Sequence, residues 1–293
     1  MNLLFIHGRA QEEYTQEELL NGWTAALKMS FKNAQLEFPD DLNLILPYYG
    51  KELIIQRDRY KKDIADGVYQ MRSPGEQLKE IDNYEKELVE IMRENANISK
   101  KEVAAEVAAE QQDRGPENWW ATLAITRLLD KHLNSVSNGC VKRATDDVVT
   151  YLVVPKARKI INDYYFSALT KEPTIIIAHS LGTIVAYDIL RSLDPEAFDV
   201  RGLITIGSPL GVKTVQRQLH PPMEYPKSLK GNWVNVFDRR DIVSLNSLNR
   251  KNFRVSPEIF NHEVDNDSDN RHKIKEYLSN MLIAKTISEM MRV

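Results

Sequence analysis

A single cysteine, Cys140, stands among 293 residues, so no disulfide can staple the chain to itself, and a reducing cytoplasm is the simplest expected address. No apolar run approaches the length that crosses a bilayer. The short apolar opening "MNLLFIHG" lacks the basic flank, long apolar core and small-residue cleavage site of a signal peptide, and reads as a strand. Charge of one sign is also scarce: acids and bases intersperse to a net −3. That leaves no basic stripe for nucleic acid and no acidic tail for a basic partner. There is no internal repeat and no low-complexity tract, although "EVAAEVAAE" comes close and is a good helix former.

Hydrophobic residues, at 42%, are ample for a buried core. Runs nearly continuous in apolar or β-branched residues recur at Asn2 to Ile6, Leu42 to Leu46, Thr174 to Ala178, Gly202 to Ile206 and Trp233 to Phe237. Continuous rather than alternating runs, separated by helical spacing, predict an α/β fold: a doubly wound, mostly parallel sheet covered on both faces. Leu19, Leu20, Trp23, Leu27 and Phe31 place the first helix within Glu17 to Phe31. Between Tyr49 and Thr174 strand signals vanish and charged helical patterns take over. The expected organisation is therefore a core of residues 1–50 and 172–293 carrying a large helical insertion, or cap, over 51–171. Within it, Leu78, Ile81, Tyr84, Leu88, Ile91, Ile98, Val103 and Val107 form a narrow stripe suited to two packed antiparallel helices. Ser73 offers an N-cap with Pro74 in the first turn and Glu76 three residues on. Gly115 and Pro116 break the next helix, and Trp119, Trp120, Leu123, Leu128 and Leu129 mark another. Two shorter helices broken at Pro155 return the chain to the sheet.

"TIIIAHSLGTIVAYD", residues 174–188, joins an apolar strand to an amphipathic helix through a serine among small residues. At the tip of a strand-to-helix turn a serine has strained backbone angles, and the residues two before and two after it approach neighbouring backbone closely. Here those are Ala178 and Gly182. Ser180 is thus a candidate nucleophile; it also reads as an N-cap on an ordinary crossover helix. A serine hydroxyl needs a base, a carboxylate to orient that base, and donors for the developing oxyanion. Asp238 and Asp241 follow the strand in "WVNVFDRRDIVS"; Asp241 is favoured because Ile242 and Val243 can pack beneath its loop, although either acid can cap a turn or pair with Arg239 and Arg240. His272, on a polar loop ahead of the last helical pattern, is favoured as base over His262. His132 and His220 lack motif context. Arg9 N–H, after the His7–Gly8 turn, and Leu181 N–H, after the serine, are the expected oxyanion donors, with His7 structural.

With those pieces in the order Ser180, Asp241, His272, the sequence resembles the α/β-hydrolase superfamily, in particular its lipase-like and esterase-like members with an "HSLG" elbow. "ITIGSPLG", 204–211, is similar to the strand and loop that lipase-like members set beside that elbow. The resemblance implies an eight-stranded sheet, a Ser-His-Asp triad at its carboxyl edge, and no metal or organic cofactor. It implies hydrolysis of carboxylic esters, small or lipid, through an acyl-enzyme. Acyl transfer and amide cleavage use the same site. A non-catalytic or effector protein, whose insertion binds a protein partner or a second copy, is the reading from another class. Trp119, Trp120, Tyr48 and Tyr49 read as packing residues.

Overall fold

A computed structural model describes residues 1–8, 14–65, 74–109, 117–132, 140–244, 246–266 and 271–292. In chain order, β1 (Asn2–Ile6), α1 (Gln16–Asn33) and β2 (Asn43–Ile45) are followed by six helices. These are α2 (Glu52–Ala65), α3 (Pro74–Asn95), α4 (Lys100–Ala109), α5 (Glu117–His132), α6 (Cys140–Val153) and α7 (Pro155–Ala168). Then come β3 (Thr174–His179), α8 (Leu181–Ser192), β4 (Val200–Ile206), α9 (Lys213–Arg217), β5 (Leu229–Phe237), β6 (Phe260–Glu263), α10 (Ile274–Leu278) and α11 (Met281–Met290).

Alternate side chains of each strand feed opposite cores, which is what makes near-continuous apolar runs stable here. Leu4, Ile6, Ile176 and Ala178 pack with α7 and α8 on one face. Leu3, Phe5, Ile175 and Ile177 pack with Trp23, Leu27 and Phe31 of α1 and Ile283 and Ile287 of α11 on the other. The six strands form one sheet in the order β2-β1-β3-β4-β5-β6, and every pairing is parallel. Helices therefore cover both faces, as the apolar runs predict. Among the described residues the sheet has six strands, not the eight implied by the resemblance. The sixth, β6, carries Phe260 and His262 exposed, so it lacks the apolar run that marks the others. Its register is held by side-chain amides: Asn235 Nδ2 donates to Asn261 Oδ1 at 3.0 Å, and Leu248 N–H to the same oxygen at 2.7 Å.

The helix at the start behaves as its sequence suggests, closed by a capping box in which Thr15 Oγ1 accepts Glu18 N–H and Glu18 Oε2 accepts Thr15 N–H. Two other expectations change. The stripe running from α3 into α4 does not close into a two-helix pair, because α5 packs against both. Val89, Val103, Ile125 and Leu129 share one cluster, while Tyr84 and Leu88 turn to the main core. The single amphipathic pattern after His272 is two helices, since Asn280 stops the first and caps α11 by accepting Leu282 N–H at 3.0 Å. Ser73, Gly115 and Pro116 lie outside the described residues, as does the side chain of Trp119. No helix among the described residues is long and apolar enough to cross a membrane.

Candidate active site

The strand order reverses between β1 and β3, whose next neighbours lie on opposite sides. Both strands run parallel, so their carboxyl ends open a crevice at this switch point, the usual ligand position in open α/β sheets. Gly8 follows β1 and Ser180 follows β3 there.

Ser180 has φ 54° and ψ −127°, and its side chain caps nothing. The N-cap reading therefore does not account for it. The turn closes this tightly because Gly182 has no side chain: a Cβ there would come within 2.2 Å of Ile6 O. A Cβ on Gly8 would likewise meet the Ser180 Cβ at 2.9 Å. Ser180 N–H donates to Ile206 O at 3.0 Å, and Thr183 returns its N–H and hydroxyl to Ser180 O at 2.9 and 2.7 Å.

Ser180 Oγ lies 2.8 Å from His272 Nε2, and His272 Nδ1 lies 2.8 Å from Asp241 Oδ2. A carboxylate only accepts, so Nδ1 carries the imidazole proton and Nε2 accepts the serine hydroxyl. Asp241 is fully buried. Burial alone would push its carboxyl up, but the charge and hydrogen bond of His272, with those of Val243 N–H and Tyr277, hold it below the ordinary value. A serine, an imidazole and an ionised carboxylate joined in this way can activate the hydroxyl by moving its proton to the ring. Leu181 opens α8, where N–H groups of the first turn have no intrahelical acceptor and can face an anion. Arg9 lies outside the described residues.

The remaining sequence candidates sit elsewhere. Asp238 steadies a loop: it accepts Arg240 N–H and Asn266 N–H, each at 2.8 Å, and faces Arg271 at 3.3 Å. His262 is exposed on β6, His132 at the end of α5, and His220 in a loop. His7 is buried, stacks on Tyr49 at 4.0 Å, and donates Nδ1–H to Gly8 O at 3.0 Å.

Three supporting residues were not singled out from the sequence. His179 Nε2–H donates to His272 O at 2.9 Å, tying the loop that carries the imidazole to the residue before the serine. Gly207, at φ 58°, leaves room for that ring, since a Cβ would lie 3.2 Å from His272 Cε1. Tyr277 O–H donates to Asp241 Oδ2 at 2.8 Å. Only adjacency to Ser180 marks His179 in the sequence; Gly207 sits in the "ITIGSPLG" loop, and Tyr277 reads there as one more apolar position of a helix.

A cleft of about 590 Å³, its open mouth included, has Ser180 and His272 in its lining. Its walls are Leu88, Ile91 and Met92 of α3, Ala144, Thr145 and Val148 of α6, Val212 and Val215 at α9, and Ile242 and Val243 after Asp241. Among the described lining residues Thr145 is the one polar residue besides the serine and histidine, and its hydroxyl is turned to Val141 O at 2.9 Å. No group of three or more metal-binding side chains occurs among the described residues. No protein-family description, no curated protein and no solved structure matches this chain.

Proposed function

We propose that this chain is a serine hydrolase of the α/β-hydrolase kind, cleaving carboxylic esters whose acyl part is apolar, with the helices between β2 and β3 acting as an insertion that covers the site. The observation that carries the reading is the strained Ser180, uncommitted as a cap and hydrogen-bonded to an imidazole that a buried carboxylate orients. Among the described residues that line the cleft none is an acid, a lysine or an arginine, which suits an apolar acyl chain.

In this reading Ser180 Oγ attacks the ester carbonyl as His272 Nε2 takes its proton. Leu181 N–H receives the oxyanion, with a second donor expected from the turn after β1 at Arg9. Collapse of the tetrahedral intermediate expels the alcohol, which takes the proton back from His272 and leaves Ser180 acylated. Water then repeats the steps and releases the acid. Asp241 remains ionised throughout and pairs with the imidazolium.

The test is labelling by a fluorophosphonate together with hydrolysis of p-nitrophenyl esters. Wild type is expected to label and turn over, Ser180→Ala and His272→Ala to do neither, and His262→Ala to behave as wild type. Asp241→Asn is expected to lose about 10³–10⁴-fold in turnover. Labelling that persists undiminished in Ser180→Ala, or a wild type that neither labels nor hydrolyses, would remove the reading.

A further inference from the structure

We infer that Tyr277 is a positioning residue that sets the proton affinity of His272 through Asp241. The inference rests on the hydrolase reading for its purpose, but its geometry stands apart. Three donors converge on the Asp241 carboxylate: Val243 N–H on Oδ1 at 2.9 Å, and His272 Nδ1–H and Tyr277 O–H together on Oδ2, each at 2.8 Å. The Tyr277 hydroxyl also accepts Asp238 N–H at 3.1 Å. An amide can only donate and a carboxylate only accept, so the phenol proton is directed to Asp241. Tyr277 lies on α10, fully buried in the core that α1 and α11 share with the sheet. Packing asks only for the ring; the hydroxyl serves the carboxylate.

A carboxylate oxygen that accepts two hydrogen bonds spreads its charge over both donors. An imidazolium at His272 is therefore paired with a weaker negative charge than an unshared Oδ2 would offer. The ring then releases its proton more readily, which the return of a proton to the leaving group requires. Of the other titratable and charged groups facing this cluster, Asp238 meets the phenol through its backbone N–H, not its carboxylate. His179 holds the His272 carbonyl, with the two rings 4.8 Å apart. The Asp238 carboxylate is engaged by Arg240 N–H, Asn266 N–H and Arg271, and Ser180 sits on the far nitrogen.

The experiment follows the His272 ring by NMR in protein labelled with ¹³C-histidine, the resonance assigned with His272→Gln. Tyr277→Phe keeps the ring and removes the donor; the His272 resonance is expected to move so that its proton is lost at higher pH than in wild type. Site-specific 3-fluorotyrosine at 277 is a stronger donor and should move the titration the opposite way. Burial and the Asp241 charge push the Tyr277 phenol well up, so the fluorinated ring stays protonated. The acid limb of kcat/KM on a p-nitrophenyl ester should follow both shifts. An unmoved titration in both variants, or movement in the same direction in both, overturns the inference. If the ring moves as expected while wild type neither labels with fluorophosphonate nor hydrolyses the ester, the hydrolase reading falls and the role of Tyr277 stands. If wild type labels while the ring stays unmoved in both variants, the hydrolase reading stands and the role of Tyr277 falls.

Discussion

A serine held at φ 54° costs on the order of 1–3 kcal/mol, and it persists only where its surroundings over-determine it. Three hydrogen bonds to its own backbone and two glycines at Gly8 and Gly182 do so here. His7 shows the same tightness of space from the other side of the crevice. Its burial, only partly offset by the bond to Gly8 O, lowers its pKa to about 4. Unfolded, that histidine takes up a proton as pH falls below 6.5, while the folded one resists until about 4. The unfolded state therefore binds more protons in this window, and stability declines as pH drops through it, by about 3 kcal/mol in total. Urea midpoints measured across the window should fall with acidity in wild type and flatten in His7→Gln, whose side chain does not titrate. Equal slopes in the two proteins would show that His7 is not the group responsible.

At the scale of elements, α3 and α6 line the cleft together with the segments after β4 and β5. The α3 wall is pinned to α9 by Tyr84 O–H on Thr214 O and by Glu87, which accepts the Thr214 hydroxyl at 2.6 Å and pairs with Arg217. Each methylene that enters an apolar cleft gains about 0.8 kcal/mol, so the walls control preference for acyl length. Met92→Trp on α3 fills part of the cleft with a larger side chain. The ratio of octanoate to acetate hydrolysis is expected to drop about tenfold with acetate turnover retained, since loss of two methylenes' worth of burial is enough for that. A ratio unchanged from wild type would place the acyl chain elsewhere.

Over the whole molecule, a half-buried polar network fastens the helices ahead of β3 to the helix that Ser180 begins. Asp188 of α8 accepts Arg158 Nε at 2.7 Å, Tyr151 O–H at 2.9 Å and Asn162 Nδ2 at 2.9 Å. Burial alone would raise its carboxyl, but Arg158, with Asn162 and Tyr151, holds it below the ordinary range. Asp188→Ala leaves the Arg158 guanidinium largely buried without its counter-charge, so a loss of about 3 kcal/mol in unfolding free energy is expected. Chemical denaturation measures it; a loss below about 1 kcal/mol would mean that water or Gln218 O, already an acceptor for Arg158 at 3.1 Å, compensates.

The class of fold was legible because it rests on local pattern: continuous apolar runs at β1, β3, β4 and β5 demand burial on both faces, whatever lies far away in the chain. The strand-to-helix turn at Ser180 was legible for a similar reason, since small neighbours are a local steric requirement. β6 was not, because amides rather than an apolar run hold it. Nor was the sharing of α5 by α3 and α4, because an apolar stripe says that a face is buried without saying against what. Sequence order put Asp241 and His272 among several candidates. Only the parallel sheet, by bringing the ends of β3, β4 and β5 to one edge, set them within hydrogen-bonding reach of Ser180. Tyr277 was hidden most deeply: a tyrosine on an apolar helix face looks like core until the fold shows where its hydroxyl ends. Hydrophobic pattern is a property of neighbours in sequence, whereas a hydrogen-bonded site is a property of atoms that only chain closure makes neighbours.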